Sequence, residues 1–293
     1  MDYRITKGQK VFNVFNLTFL GIMSLLMFLP FLNVLAQSLS SSKAITNGSV
    51  GLLPVDFTWI NYQYVFQDIT ILRAFGITVL ITVVGTAINL VMTSSLAYPL
   101  SRQEYVGRKY LLLMILFTII FSAPLIPQFI LIKNLGLMNS LWAVMIPNAV
   151  SAFNFFVMRS FFMNIPNELI DSSRIDGCSE VGIIWRIILP LSKPAMATMG
   201  IYYAVYHWNS YQSAIYYLND RNLMPLQVRL RAMIDTDSLS MDPNGSLYSE
   251  MLNMSPEGVK MATVFIATVP ILLIYPFLQR HFIKGMLIGS VKS

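Results

Sequence analysis

The sequence predicts an all-α membrane protein with six transmembrane helices and both termini on the cytoplasmic side. Of its 293 residues, 55% are hydrophobic and only 12% are charged, whereas about 25% of residues are charged in a soluble domain. Six segments without charged side chains approach or exceed the ~20 apolar residues that a helix needs to cross a bilayer. These are residues 11–37, 74–100, 110–132, 141–158, 195–218 and 261–279.

The first segment begins like a signal peptide, because Arg4, Lys7 and Lys10 precede it. Its apolar stretch is about twice as long as the roughly 7–15 residues of a signal peptide, and no small-residue cleavage site closes it. We therefore expect an uncleaved span.

The positions of the charges indicate the orientation. With a cytoplasmic N-terminus, the inside segments hold 13 of the 20 basic residues and 6 of the 14 acidic ones. Lysine and arginine are enriched in cytoplasmic loops. The distribution therefore favours both termini inside, with residues 38–73 and 219–260 as extracytoplasmic loops and 159–194 as a cytoplasmic loop. Residues 235–257 are rich in small and polar residues and predict irregular loop.

The residue inventory excludes several classes of protein. The single cysteine, Cys178, allows no intrachain disulfide and no cysteine-based zinc site, and only His207 and His281 are available as histidine ligands. We expect no metal site, no catalytic residues and no nucleic-acid partner, since the net charge of +6 fits cytoplasmic loops in contact with a lipid bilayer. No nucleotide-binding P-loop sequence is present.

The cytoplasmic segment 164–194 predicts two short helices joined by a sharp turn. Asn164 is a candidate cap and Pro166 suits a first helical turn, so a helix is expected over 168–174. Asp176 and Gly177 then favour a turn, because glycine accepts a positive φ.

A second helix is expected over 179–188, ending at Leu189 and Pro190. Its apolar residues fall at helical spacing: Val181, Ile184, Trp185, Ile188 and Leu189. Composition alone is equally compatible with a simple interfacial connector between two spans.

A motif in this segment resembles a known signature. The spacing D-S-S-x3-G-x9-I-x-L-P is carried by Asp171, Ser172, Ser173, Gly177, Ile187, Leu189 and Pro190. It is similar to the E-A-A-x3-G-x9-I-x-L-P loop that precedes the penultimate span of bacterial ABC-importer permeases. Aspartate replaces the glutamate and two serines replace the alanines, which keeps the charge and the small volume.

The resemblance implies a permease subunit in the bacterial cytoplasmic (inner) membrane, with 1–293 as one transmembrane domain. It implies that the loop contacts an ATPase subunit through Glu168, Asp171, Ser172, Ser173, Asp176, Gly177, Ile187, Leu189 and Pro190. It also implies a second, homologous but different permease subunit, two ATPase subunits and an extracytoplasmic solute-binding protein. No cofactor is expected on this chain, because ATP and Mg²⁺ belong to the ATPase subunits.

The stretches AVYHWNSYQSAIYYLND, PLQVRLR and PFLQRHFIKGMLIGSVKS resemble the carbohydrate-uptake branch of that family. Within it they are most similar to permeases for oligosaccharides of acidic polysaccharides such as pectin or alginate. The resemblance therefore implies import of an oligosaccharide.

The fifth predicted span is unusually rich in polar and aromatic residues, which suit the hydroxyls and C–H faces of sugars. The substrate-path candidates are Tyr202, Tyr206, His207, Asn209 and Ser213. An interfacial aromatic belt, ordinary packing and interhelical hydrogen bonding explain single residues equally well. For Asn89, Asn148 and Asn154 we favour bridging between helices. Arg221, Arg229 and Arg231 could guide an acidic substrate or be solvated loop charges.

The competing class is a self-contained secondary sugar transporter driven by an ion gradient. The predicted spans contain no acidic residue, which leaves His207 as their only candidate proton carrier. A membrane enzyme is less favoured, since no nucleophile–base or paired-carboxylate arrangement lies in the spans.

Overall fold

The computed structural model describes residues 7–234 and 255–290, with backbone alone beyond residue 275. Within these ranges every regular element is helical, so the predicted all-α class is confirmed. The helices are α1 Lys7–Ser38, α2 Ser42–Thr46, α3 Ile60–Gln67, α4 Ile69–Ser101, α5 Arg108–Ile120, α6 Leu125–Asn134, α7 Trp142–Met145, α8 Ala152–Met163, α9 Asn167–Ile175, α10 Glu180–Ile183, α11 Leu189–Leu191, α12 Lys193–Trp208, α13 Gln212–Tyr217, α14 Leu226–Ile234 and α15 Pro256–Ser290.

Three described helices are long and apolar enough to cross a membrane. They are α1, α4 and the Pro256–Tyr275 part of α15, and they correspond to the first, second and sixth predicted spans. A shorter apolar helix, α8, lies in the fourth predicted span. The full set of six spans and the N-in, C-in orientation remain predictions.

Three predicted spans are divided in the structure. The apolar pattern predicts one helix each for residues 110–132, 141–158 and 195–218, but α5 and α6, α7 and α8, and α12 and α13 are each separated by non-helical backbone. At the first break, Phe121 is extended and Pro124, also extended, precedes α6. At the third, the Asn209 side-chain amide donates to Val205 O at 2.9 Å where α12 ends.

The described residues form two compact units. One comprises residues up to Leu72 with Ala232–Val269, and the other comprises Arg73–Arg231 with residues from Pro270 onward. In the first unit the buried Asn61 donates from Nδ2 to the carbonyls of Ser38 and Ser40, at 3.0 and 3.3 Å. These bonds satisfy carbonyl groups where α1 ends.

The larger core of the second unit joins the predicted spans to the predicted cytoplasmic loop. Phe155 and Phe162 of α8 and Met199 of α12 share this core with Ile170 of α9 and Ile183 of α10. The loop is therefore packed into the same apolar core as the helices that it connects.

The segment predicted as a cytoplasmic helix–turn–helix contains α9 and α10, and its helices differ from the predicted ones in their bounds. Helix α9 covers the predicted first helix, but Asn164 follows the end of α8 and Pro166 precedes α9. The second helix does not end at Pro190, because helical backbone continues through a π-helical turn, Ile184–Ile188, into α11. The wider π turn accommodates a proline that would otherwise clash with the preceding turn.

The extracytoplasmic prediction for residues 219–260 is only partly covered. A 3₁₀ turn, Arg221–Leu223, and α14 occupy its first part. Residues 235–254 lie outside the described residues, and so does the side chain of His281. The predicted irregular loop over 235–257 is too long at its end, since α15 begins at Pro256.

Candidate functional site

An open cavity of about 760 Å³ lies at the junction of α12 and α13. Its wall carries aromatic, hydroxyl and amide side chains: Gln128, Tyr206, Asn209, Gln212, Ser213 and Tyr216. Among the described residues that line it, none is charged. The wall therefore offers ring faces and neutral hydrogen-bonding groups.

Two of the three helix breaks open onto this cavity. Ala123 comes from the break between α5 and α6, and Asn209, Ser210 and Tyr211 form the break between α12 and α13. Irregular backbone at membrane depth is tolerated where it is buried in protein or lines a cavity. The breaks thus accompany the cavity, and their residues contribute to its wall.

Of the predicted path residues, the structure brings Tyr206, Asn209 and Ser213 together at the cavity. Tyr202 is 43% exposed, does not line the cavity, and makes an edge contact with Phe153. His207 is completely buried away from the wall. Gln212 and Tyr216 of the same predicted span were not among the candidates, and sequence reasoning also missed Ala123, Leu125 and Gln128. The only signal of these last three is the proline-interrupted stretch SAPLIPQ within an apolar run.

The buried His207 belongs to a polar junction behind the wall. Its Nε2 lies 2.9 Å from Asn89 Oδ1, and Asn89 Nδ2 donates to Asn148 O at 2.9 Å. Because the amide nitrogen of Asn89 already donates, its oxygen is left to accept the proton of Nε2. The predicted bridging role of Asn89 is confirmed, and the bond to Asn148 satisfies a carbonyl freed by the break between α7 and α8.

A second polar contact joins the same two helices, α4 and α12. The Tyr203 hydroxyl lies 2.7 Å from Thr93 Oγ1 and accepts a hydrogen bond from the Ser151 backbone N–H at 3.1 Å. Ser151 immediately precedes α8. Side chains of α4 and α12 thus satisfy both sides of the break in the fourth predicted span.

In the predicted cytoplasmic loop, Arg174 of α9 forms an ion pair with Glu180 of α10 across the turn at Gly177. Its Nε donates to Glu180 Oε1 at 2.8 Å, and its Nη1 donates to Glu104 Oε2 at 3.0 Å and lies 3.5 Å from Asp171 Oδ1. Gly177, between them, has a φ of +81°, which confirms the predicted sharp turn.

These contacts shift two pKa values. Burial alone would raise the pKa of Glu180, but hydrogen bonds from Arg174 and from the Tyr98 hydroxyl together hold it below its ordinary value. The hydrogen bond to Glu180 raises the pKa of Arg174. Both groups are therefore charged at neutral pH.

The loop has one packed face and one free apolar face. Ile170, Ile183 and Ile188 are at most 1% exposed, whereas Ile175 is 86% and Trp185 is 57% exposed. Exposed apolar clusters of this kind are typical of interaction surfaces.

The predicted contact residues divide between these two faces. Exposed residues are Glu168, Asp171, Ser172, Asp176, Gly177 and Pro190. Ser173 is buried and donates to Leu169 O at 2.6 Å, and Ile187 and Leu189 pack against the core. No group of histidine, cysteine and acidic residues suited to a metal ion occurs within the described ranges.

Comparison with known proteins identifies the family of this chain. Residues 96–288 match the family described as "Binding-protein-dependent transport system inner membrane component", which is more than half of the chain. The chain belongs to this family.

Three known proteins are similar to this chain over nearly its full length. Protein LplC of Bacillus subtilis (strain 168) is 44% identical, covering 98% of this chain and 97% of that protein. The polygalacturonan/rhamnogalacturonan transport system permease protein YtcP of the same organism is 41% identical, covering 97% and 99%. The crystal structure of a bacterial ABC transporter involved in the import of the acidic polysaccharide alginate matches with 32% identity and a TM-score of 0.87, covering 94% of this chain and 98% of that one.

Family membership confirms several predictions. The chain is a non-catalytic permease subunit and a multi-pass protein of the inner membrane. The family also implies a partner ATPase and a binding protein.

Proposed function

We propose that this chain forms part of the translocation path of an ATP-driven, binding-protein-dependent importer of oligosaccharides derived from acidic polysaccharides. The cavity at the α12–α13 break is the observation that carries the proposal. Tyrosine rings can stack on the C–H faces of sugars, while Asn209, Gln212 and Ser213 can exchange hydrogen bonds with hydroxyls. The substrates named for the polygalacturonan and alginate systems support an acidic oligosaccharide.

The neutral wall gives this subunit a particular part in recognition. Because none of the described residues that line the cavity is charged, this chain contacts the rings and hydroxyls of the substrate. We therefore expect it to distinguish sugars by shape and hydroxyl pattern.

The proposed assembly has six spans in this chain, with both termini inside, beside a second, different permease subunit. Two ATPase subunits bind on the cytoplasmic side and a solute-binding protein delivers the sugar outside. The excess of basic residues in the expected cytoplasmic segments supports this orientation.

The loop formed by residues 168–190, here named the coupling loop, transmits the movement of the ATPase pair. ATP binding closes that pair, and the loop carries the displacement to helices that switch from inward-open to outward-open. Linkage requires the loop to bind the two nucleotide states with different free energies. The exposed Ile175, Val181 and Trp185 provide an apolar surface for this contact.

Uptake by the reconstituted importer tests the role of the cavity. Tyr206→Ala, in the complete complex in proteoliposomes, should reduce uptake of galacturonate oligosaccharides about tenfold, equivalent to about 1.4 kcal/mol. Tyr202→Ala is the matched control, because it removes the same ring one helical turn away without touching the cavity. Equal uptake by the two variants would contradict the proposed path.

A further inference from the structure

Arg102, immediately after α4, is buried although it carries a charge. Its side chain is held by four groups, and the residue is only 7% exposed. Nη2 donates to the Phe162 carbonyl, and Nη1 donates to Asn167 Oδ1 at 2.8 Å and lies 3.5 Å from Ile165 O. Nε donates to Ser101 Oγ at 3.1 Å.

Uncharged groups make the direct contacts of this charge, including the Tyr98 ring, whose centroid lies 5.7 Å from Arg102 Cζ, while Glu104 and Asp171 act on it only at longer range. Every ion pair formed by the described side chains involves Arg174, so Arg102 has no acidic partner within ion-pair distance there. Burial partly desolvates the guanidinium and thereby lowers the pKa of Arg102. Phe162 lies in the last turn of α8, where free carbonyls give the helix end a negative partial charge.

The same two helix ends are joined in the opposite direction by Arg159. This residue of α8 donates from Nε to the Leu100 carbonyl, in the last turn of α4, at 2.8 Å. Each helix therefore has its C-terminal carbonyls capped by an arginine of the other. Only Arg102 reaches further, to Asn167, the first residue of α9.

We propose that Arg102 is a positioning residue for the coupling loop. It fixes the start of α9 to the cytoplasmic ends of α4 and α8, so that a displacement of the loop reaches both helices together. This inference rests on the proposed function, in which residues 168–190 receive the movement of the ATPase pair.

Other links between the loop and α4 are less constrained. Tyr98 of α4 donates to Glu180 Oε2 at 3.0 Å, but the Glu180 side chain is 57% exposed. The Glu104–Arg174 ion pair is exposed to solvent, with side-chain exposures of 66% and 32%, and is therefore screened. The apolar contacts of Ile170 are not directional. The hydrogen bonds of a buried guanidinium are directional and costly to break, so they hold the loop in one register.

The test measures ATP hydrolysed per sugar transported by the complete importer in proteoliposomes. Arg102→Met should raise this ratio by about tenfold or more, because hydrolysis continues while its movement no longer reaches the helices. Arg102→Lys should give an intermediate ratio, since it keeps the charge without the fork of donors. Arg159→Met is the matched control: it removes the reciprocal cap but leaves the Asn167 contact, and should keep the wild-type ratio.

If the Arg102→Met complex fails to assemble, a second pair of variants tests the positioning role with Arg102 left in place. Asn167→Ala removes the contact and should raise the ratio. Asn167→Asp keeps an acceptor for Arg102, is favourable in a first helical turn, and should retain the wild-type ratio. A merely structural role would lower hydrolysis and uptake together and leave the ratio unchanged.

The outcomes separate this inference from the proposed function. If Gly177→Pro uncouples the importer but Arg102→Met and Asn167→Ala stay within about twofold of the wild-type ratio, the positioning role is refuted and the coupling loop stands. If Gly177→Pro itself keeps the wild-type ratio, the coupling function is wrong.

Discussion

His207 and Gly85 are in close contact at the polar junction. A Cβ atom at position 85 would lie 2.5–2.8 Å from three atoms of the imidazole ring. The ring is completely buried and bonded to Asn89, so it has little freedom to move away. The absence of a side chain at residue 85 is therefore what allows α4 and α12 to approach here.

Gly85→Ala should destabilise the subunit by about 1–3 kcal/mol through overpacking. Gly76→Ala is the control, because it lies in the same helix with no atom within 4 Å of its Cβ position. Thermal unfolding of the purified complex in detergent gives the comparison. Adding His207→Ala to Gly85→Ala should recover part of the loss, and a strictly additive double variant would contradict the contact.

Glu180 gives the coupling loop a pH dependence. Its pKa is held below the ordinary value of 4.5, so its stabilising effect is complete above that value and is lost as the pH falls through the lower folded-state pKa. Glu180→Gln should lower the melting temperature at pH 7, by an amount corresponding to less than about 1 kcal/mol because the pair is partly exposed. The difference from wild type should shrink below about pH 4.5.

Glu168→Gln is the control for this measurement, since Glu168 lies on the same loop and makes no ion pair among the described residues. A pH-independent difference for Glu180→Gln would contradict the assignment.

At the scale of residues, the sequence predicted the kinds of side chain that line the cavity better than it predicted which residues do so. Tyr206, Asn209 and Ser213 line it because they lie beside the break, whereas Tyr202 lies a helical turn further from it. His207 instead forms a hydrogen bond with Asn89 of α4. The prediction treated this span as one continuous helix, but the helix is interrupted at Asn209.

At the scale of elements, Gly177 determines the bend of the coupling loop. It has a φ of +81°, and no atom lies within 4 Å of the position that a Cβ would take, so substitution here acts through backbone strain alone. Gly177→Ala should therefore reduce ATP-driven uptake while the complex still assembles. Gly136→Ala is the control, with a similar φ of +69° and equally open space outside the loop. Equal uptake by both variants would show that the turn at Gly177 has no part in coupling.

The long helices were predictable because a continuous apolar run needs nothing beyond itself to cross a bilayer. The breaks were not predictable, because the backbone groups that they leave unpaired form hydrogen bonds with residues of other segments. The Asn148 carbonyl depends on Asn89, 59 residues away, and the Ser151 N–H depends on Tyr203. Such partners are visible only once the helices are packed.

At the scale of the whole molecule, the single cysteine permits a test of orientation. In a Cys178→Ser background, Val106→Cys should react with a membrane-impermeant thiol reagent in inside-out vesicles only, because Val106 is 93% exposed and lies between the second and third predicted spans, outside the coupling loop. Lys43→Cys, in the predicted first outside loop, should react in right-side-out vesicles only. The reverse pattern would contradict the N-in, C-in orientation.

The central claim is that this chain transports an oligosaccharide only together with an ATPase subunit that contacts the coupling loop. The most direct measurement is sugar uptake into proteoliposomes containing the chain alone or the complete importer, with ATP or with a proton gradient. We expect uptake only in the complete importer with ATP, and its loss in Gly177→Pro. Uptake by the isolated chain, driven by a proton gradient without ATP, would contradict the account and indicate a secondary transporter.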